Sequence, residues 1–340
     1  MPTNFSTSIF GTTASVDDLF VPADSFRQGN LFTWGQNTNG QLGVNDIVNR
    51  STPVQIFTQS TNWKQVDSGN GFTATIKSDG TLWTWGYGQN GQLGNNIASK
   101  GLSIFTPVTT FVGGTNWKQV STSAIAAAIK TDGTLWTWGN GVSGGLGDNT
   151  ATIKCTPVTT FAGGTNWKQV SGGGYHTVTI KTDGTLWTWG YNNNGQLGVN
   201  DTNTRCTPVT TFAGGTNWKQ VSCGYNHTTA IKTDGTLWTW GSNDSGQLGD
   251  NTVDNRSTPV TTFSGGTNWK QVAGGSSHTA AIKTDGTLWT WGSNTVGQLG
   301  DNTATIKCTP VTTFAGGSNW KQVAGGFNHT AATTYIDSYQ

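Results

Sequence analysis

The spacing of the tryptophans constrains this chain more than any other feature. All seventeen fall on one repeating frame: six follow Asn in NWKQV, six lie in TWG, and five lie two residues before a TWG tryptophan. Successive NWKQV tryptophans are 54, 50, 51, 51 and 51 residues apart. A period near fifty residues that carries strand-like motifs and no helical ones predicts a β-propeller or a similar array. The tryptophans therefore indicate architecture before they indicate function.

One copy of the repeat contains four strand-like motifs. In the copy that begins at residue 166 they are WKQV (167–170), HTVTIK (176–181), TLWTWG (185–190) and TPVTTF (207–212). Asp183-Gly184 separates the second motif from the third, and Asp-Gly between two strand-like runs predicts a tight hairpin because Gly tolerates positive φ. Four antiparallel strands per copy predict one propeller blade.

The two ends of the repeat region supply complementary halves of a blade. The first recognisable motifs correspond to strands three and four, whereas the last, at 319–334, correspond to strands one and two. Five internal blades and one shared blade predict an all-β, six-bladed propeller over residues 27–340, closed without exposed sheet edges. Residues 1–26 lack the repeat and are expected to form a separate N-terminal leader.

The repeated residues resemble the regulator of chromosome condensation repeat in its compact bacterial and viral form. The resemblance rests on Gly-x-x-His-Thr, Asp-Gly, Leu-Trp-Thr-Trp-Gly and Gly-Gln-Leu-Gly, and it covers residues 31–334. Members of that family are typically seven-bladed, so a seven-bladed ring with a degenerate blade from the leader is the less favoured alternative. The founding member's nucleotide exchange depends on a protruding loop and its chromatin binding on a basic tail; no counterpart of either is evident here, so exchange activity is disfavoured.

Composition narrows the classes of partner. Charged residues are 10% of the chain, and the net charge is +1. Eleven of the eighteen Lys and Arg residues occupy two repeat positions, after NW and before Asp-Gly. Spread around a ring, they are unlike the clustered basic face of a nucleic-acid-binding protein, so we expect no nucleic-acid partner. No apolar run approaches the ~20 residues that cross a bilayer, and no secretion signal is visible, so we expect no membrane insertion.

Histidines and tryptophans at fixed repeat positions are expected to be structural. The four histidines share one position, which Phe72 and Ala126 occupy in the other copies, and the resemblance makes this histidine a hydrogen-bonding residue of the fold. Catalytic or metal-binding histidines would need partners that converge on them. We expect no catalytic residue, no metal and no cofactor, and the four cysteines are expected to be free thiols. The structural set is His176, His227, His278, His329, Trp85, Trp138, Trp189, Trp240 and Trp291.

Function in a repeat array usually lies where the copies differ. Exposed aromatics beside Asn and Thr suit carbohydrate stacking or protein contact, although drift in solvent-facing loops explains any one of them equally well. The candidate binding residues are Tyr87, Tyr175, Tyr191, Tyr225 and Phe327. In the leader, Leu19, Phe20 and Val21 are the candidate attachment residues, which would dock on a protein scaffold as an extended segment.

These observations predict a non-enzymatic structural or interaction propeller. A short leader before a compact propeller of this repeat type resembles the arrangement in structural proteins of tailed phages. The resemblance implies a bacteriophage virion component, such as a tail or capsid appendage, whose loops meet a host glycan or protein. A lectin-like glycan binder is the nearest alternative, and a cellular regulator that resembles an exchange factor is the alternative from another class.

Overall fold

The structure is a computed structural model that describes residues 30–58, 60–97 and 103–335. These residues form twenty-four β-strands. Within them, no helix is long and apolar enough to cross a membrane. The leader, including Leu19, Phe20 and Val21, lies outside the described residues.

The strands are numbered in chain order. A first pair comprises β1 (Phe32–Gly35) and β2 (Arg50–Gln55). Blades one and two comprise β3 (Trp63–Ser68), β4 (Phe72–Lys77), β5 (Leu82–Tyr87), β6 (Ser103–Thr109), β7 (Trp117–Thr122), β8 (Ile125–Lys130), β9 (Leu135–Gly139) and β10 (Lys154–Thr159). Blades three and four comprise β11 (Trp167–Gly172), β12 (His176–Lys181), β13 (Leu186–Gly190), β14 (Arg205–Thr210), β15 (Trp218–Cys223), β16 (His227–Lys232), β17 (Leu237–Gly241) and β18 (Arg256–Thr261). Blade five and the last pair comprise β19 (Trp269–Gly274), β20 (His278–Lys283), β21 (Leu288–Gly292), β22 (Lys307–Thr312), β23 (Trp320–Gly325) and β24 (Thr330–Thr334).

Each complete blade is an antiparallel meander of four strands. In blade three the order is β11-β12-β13-β14, and β12 pairs with β13 from His176 opposite Gly190 to Ile180 opposite Leu186. The Asp-Gly hairpin joins these two strands, as the sequence predicts; Gly184 has φ +78°, which suits Gly. The all-β propeller of four-stranded antiparallel blades is confirmed.

The apolar core lies between successive blades. Trp189 is fully buried and packs with Trp167 and Val170 of its own blade against Ile129 and Leu135 of the preceding blade. The indole Nε1 of Trp189 donates to the carbonyl of Gly145, so the polar atom of this buried ring is satisfied. Trp167 contacts both tryptophans of β13 edge to face, at centroid distances of 6.1 and 6.2 Å. Each blade therefore depends on its neighbour for its core.

A glutamine joins the inner strands of neighbouring blades. Gln169 donates from Nε2 to the carbonyl of Val221 at 3.2 Å, and its Oε1 accepts from the Val221 amide at 3.1 Å. The same pair of bonds recurs at four other junctions, from Gln65, Gln119, Gln220 and Gln271. Innermost strands of adjacent blades are not paired as a sheet, so this side chain satisfies backbone groups that would otherwise lack partners.

Strand direction divides the molecule into two ends. We call upper the end where strand one turns into strand two and where the strand three–four loops begin. We call lower the end with the Asp-Gly hairpins and the connections from strand four to the next strand one. The upper end is where the copies differ in sequence, and it carries the candidate binding residues.

The terminal strands form two separate two-stranded sheets, β1-β2 and β23-β24. Beside the last pair is a cavity of about 370 Å³ lined by Gln298, Gly300 and Trp320. In blade four, a Cβ placed on the equivalent Gly249 would lie 2.7 Å from the Trp291 indole, whereas Gly300 has only Thr313 within 4 Å among the described residues. If the two terminal pairs share one blade, repeat symmetry would place Trp34 of the first pair in this cavity. The strands amount to five blades and two halves, so the blade count is six to seven and the shared blade stays a prediction.

Candidate functional site

The turns between strands one and two converge at the upper mouth of the central channel. In every copy except blade two, which has Thr122, a glycine precedes the first strand-two residue by three positions, as Gly173 precedes His176. A Cβ on Gly173 would overlap the imidazole of His176, so only glycine leaves room for the ring beneath the turn. The turn therefore lies close against the side chain of the first strand-two residue. The residue that follows the glycine lies at the channel mouth.

A cavity of about 340 Å³ lies among these turns. Its wall is largely glycine backbone, with Tyr225 and Phe327 as the large side chains and Cys223, Ser276 and Asn70 among the others. Tyr225 is 37% exposed and Phe327 53%. The cavity therefore combines an apolar rim with many backbone polar groups, a composition that suits recognition of a side chain or a short loop.

Two tyrosines from neighbouring blades form one aromatic contact at this mouth. Tyr175 and Tyr225 lie edge to face with centroids 6.1 Å apart. The Tyr225 ring lies over Gly174, where a Cβ would be 3.1 Å from two of its ring carbons, so the contact depends on glycine in the preceding blade. Burial, followed by the neighbouring Tyr175 phenol, raises the pKa of Tyr225, which is therefore uncharged at neutral pH.

Of the five candidate binding residues, Tyr225 and Phe327 line the cavity, and Tyr175 lies beside it in contact with Tyr225. Tyr87 and Tyr191 begin the strand three–four loops at the same upper end but do not line the cavity. The Tyr191 amide donates to the carbonyl of Tyr175 at 3.0 Å, and the Tyr87 hydroxyl donates to Gln89 Oε1 at 3.0 Å. Both rings are half-buried, so they form an outer margin of the site.

Three of the four shared histidines are buried between blades. His176 Nε2 lies 3.0 Å from the Thr228 hydroxyl of the next blade, and that hydroxyl donates to the carbonyl of Gln196. The threonine therefore accepts from the Nε2–H of a neutral imidazole. His227 and His278 make the same contact with the next strand two, whereas His329 in the last pair is exposed. The geometry supports a structural role for the buried three.

One sequence assignment at this position is wrong. Ile125, not Ala126, stands where the histidine stands in other blades, because Ile125 pairs with Gly139 as His176 pairs with Gly190. The strand one–two turn of blade two is one residue shorter than that of blade three, so counting residues places the position one too late. Ile125 is fully buried, as is Phe72 in blade one.

The reactive side chains near the cavity are few in the part of the chain that the structure describes. Among the described residues, no group of three or more His, Cys, Asp or Glu is placed to hold a metal ion. Cys223, at the floor of the cavity, is buried, and burial raises the pKa of its thiol to about 12, so it is a poor nucleophile. Each Asp-Gly aspartate accepts hydrogen bonds from the threonine two residues later, as Asp183 does from Thr185, and is thereby committed to its turn.

Cys223, Asn70 and Ser276 of the cavity lining were not among the predicted site residues. For Asn70 and Ser276 the sequence does carry a signal, because they occupy a turn position that varies between copies. The position two before the first strand-two residue holds Asn70, Ser123, Gly174, Tyr225, Ser276 and Phe327 in the six copies, and only serine recurs. This is the position that faces the cavity.

The fold defines the class: a β-propeller of repeated four-stranded blades, with a cavity among turns whose residues vary from copy to copy. The family model described as the RCC1-like domain matches residues 21–262 and 123–337. The chain belongs to the RCC1-like domain family, as the repeat motifs indicate.

Relatives of the chain include regulators from plants and animals. It is 31% identical over 311 residues to the ultraviolet-B receptor UVR8 of Arabidopsis thaliana, covering 89% of this chain and 70% of that protein. It is 29% identical to the human E3 ubiquitin-protein ligase HERC2, of which it spans 6%. Yeast RCC1 (Prp20), solved bound to Kap60, has a TM-score of 0.79 at 19% identity over 98% of this chain and 82% of that one. Human WBSCR16 gives 0.77 at 23% identity, over 89% and 81%.

Proposed function

We propose that this protein is a non-enzymatic binding propeller whose upper channel mouth holds an apolar side chain of a partner protein. The observation that carries the proposal is the convergence of the variable turn residues on one cavity. Tyr225 and Phe327, the two large side chains of the cavity lining, are both partly exposed there.

The cavity has the size and character of an anchor site. At about 340 Å³ it lies at the small end of the roughly 300–1,000 Å³ range of ligand pockets. Aromatic residues in a desolvated central pocket commonly supply most of the free energy of a protein interface. Glycine backbone around the aromatics leaves carbonyl and amide groups within reach of a bound main chain, which would add orientation to the apolar contact.

The relatives support protein binding as the class of function. One solved structure holds yeast RCC1 with Kap60, and another study of Prp20p concerns its binding to Gsp1p and histones. Those partners belong to those proteins. For this chain we propose a protein partner of its own, recognised by the turn residues that vary among its copies.

The experiment is a peptide selection with a matched counter-selection. A random peptide library displayed on phage is panned on the full chain and counter-selected on a Tyr225→Ser, Phe327→Ser variant, since serine occupies this position naturally at Ser276. We expect enriched peptides with an aromatic or aliphatic anchor, whose affinity falls about tenfold or more in the variant.

The matched control is Tyr191→Ser, since serine stands at its position in blades four and five and its ring lies outside the cavity. That variant should bind the selected peptides as the parent does. Peptides that bind all three proteins alike would overturn the proposal, and glycan-array binding that requires Tyr175 and Tyr225 would replace it with the lectin-like alternative.

The proposal also covers where the protein is located and how it is attached there. We propose that residues 1–26 attach the propeller to a scaffold and that the scaffold is a virion. The relatives named above are eukaryotic proteins and lend the virion no support. Detection of the chain in purified particles, and its loss on deletion of residues 1–26, would test both points. Nucleotide release from small GTPases would test the exchange-factor alternative.

A further inference from the structure

The lower end carries a ring of exposed phenylalanines. Each strand four is followed by one phenylalanine, and each is between 58% and 76% exposed. Scattered exposed apolar residues are normal on protein surfaces, but recurrence at one position in every copy is not scatter. The six are Phe57, Phe111, Phe161, Phe212, Phe263 and Phe314.

A turn in the strand four–one connection holds each ring out from the blade. The Gly214 amide donates to the carbonyl of Thr211 at 3.0 Å, which places Phe212 at the tip of a tight turn. A Cβ on Gly163, in the same turn of blade two, would touch nothing within 4 Å, so the turn stands clear of neighbouring chain. Because equivalent positions around a propeller lie at one height along its axis, the six rings mark one plane.

The same end holds most of the positive charge. Strand one begins and strand two ends at the lower end, and both of the lysine repeat positions lie there. They comprise eleven lysines against the five Asp-Gly aspartates, an excess of six positive charges in a chain whose net charge is +1. The lysines are spread evenly around the ring, as the sequence predicts, but they all lie at one end of it.

The upper end has the opposite balance. Its five described cations, Arg50, Lys154, Arg205, Arg256 and Lys307, each pair with an aspartate of the strand three–four loop. At the lower end, Lys181 instead places its Nζ 4.5 and 4.3 Å from the ring centroids of Trp167 and Trp187, and the same arrangement recurs in the other four blades. The tryptophan pair carries no negative charge, so the anion that these lysines interact with is the turn aspartate two residues later, as Asp183 follows Lys181.

We propose that the lower end is a docking surface for an anionic lipid bilayer. A plane of apolar rings among lysines matches a flat surface that has acyl chains beneath negatively charged headgroups. An acidic protein or a nucleic acid would satisfy the lysines but would leave six phenylalanines without a matching apolar plane. This docking is peripheral, uses the end opposite the proposed protein site, and does not depend on it.

The test is sedimentation of the full chain with phosphatidylcholine vesicles, with and without phosphatidylglycerol. We expect binding to the anionic vesicles, weakened at high salt because exposed charges are screened. Changing Phe161, Phe212 and Phe263 together to threonine should reduce the partition coefficient about tenfold or more. The matched control changes three exposed valines of the upper loops, Val142, Val253 and Val296, to threonine and should bind as the parent does.

Three results would overturn the proposal. Capture of the chain by poly-glutamate or duplex DNA, and not by anionic vesicles, would assign the lower end to another class of polyanion. Equal vesicle binding by the phenylalanine and valine variants would make the rings irrelevant. The third is a parent chain that binds none of these probes. In every case the peptide selection at the upper mouth is unaffected, so failure here leaves the proposed function standing.

Discussion

Acidification should destabilise this propeller through its buried histidines. Burial lowers the pKa of His176 and His227 to about 3 and that of His278 to about 4, from 6.5 in an exposed histidine. Between pH 6.5 and these lower pKa values, the three histidines are protonated in the unfolded chain but remain neutral in the folded chain. The contribution of these neutral histidines to the free energy of unfolding is therefore fully present above pH 6.5. It declines as the pH falls towards their pKa values in the folded chain.

The expected loss is large. Within this pH window, each buried histidine lowers the free energy of unfolding by about 1.4 kcal/mol for every unit that the pH falls. For three histidines between pH 6.5 and 5 the loss is about 6 kcal/mol, against the roughly 5–15 kcal/mol that stabilises a typical domain. The turn aspartates do not contribute here, because hydrogen bonds to threonine lower the pKa of Asp183 and its counterparts from 3.8. Their stabilisation is present above pH 4 and is lost only as the pH falls below it.

Urea unfolding at pH 7 and pH 5, followed by tryptophan fluorescence, measures this loss. The informative variant replaces His176, His227 and His278 with phenylalanine, which blade one already carries as Phe72. We expect it to be less stable at pH 7, because three threonine hydroxyls lose a donor, but nearly insensitive to pH between 7 and 5. A variant that loses as much stability as the parent over this interval would refute the reasoning.

Three further changes test the packing. Trp34→Ala should lower the free energy of unfolding by about 3–5 kcal/mol, as Trp240→Ala should, if the first pair fills the cavity beside the last; a much smaller loss for Trp34→Ala in denaturant titration would mean that the ring is not closed this way. Gln169→Ala should cost about 2–4 kcal/mol, because the amide and the carbonyl of one buried valine both lose a partner; a loss below 1 kcal/mol would show that water replaces the side chain. Gly173→Ala should cost several kcal/mol because the methyl overlaps the His176 ring, and the double change with His176→Ala should recover part of that loss in a double-mutant cycle.

The strands could be predicted because the same sequence pattern recurs in every copy of the repeat. The predicted motif HTVTIK at 176–181 coincides with β12, and WKQV at 167–170 lies within β11. A single copy would leave the assignment to weak β-propensity, whereas recurrence in every copy restricts it to one blade. The error at Ala126 arose where this advantage fails, since a turn shortened in one copy has no second example.

The candidate site was only partly predictable, because its geometry depends on neighbouring blades. Tyr175 and Tyr225 occupy different turn positions, and their contact requires Gly174 to leave space for the second ring. No pattern within one copy records that relation. The phenylalanines after strand four were assigned to strands, since an aromatic next to a β-branched run resembles core. For all of them except Phe57, the exposure follows from a turn that two glycines after the phenylalanine permit.

The two ends of the propeller suit different kinds of recognition. The lower phenylalanines occupy a position that is identical in every copy, so this position presents the same side chain all around the ring and gives little selectivity between partners. Six weak contacts in one plane nevertheless add their free energies of binding. A position that differs in most copies, such as that of Tyr225, gives the channel mouth an asymmetric pattern and can discriminate between partners. Repetition therefore favours affinity for an extended uniform surface at the lower end, and divergence favours selectivity for one protein at the upper end.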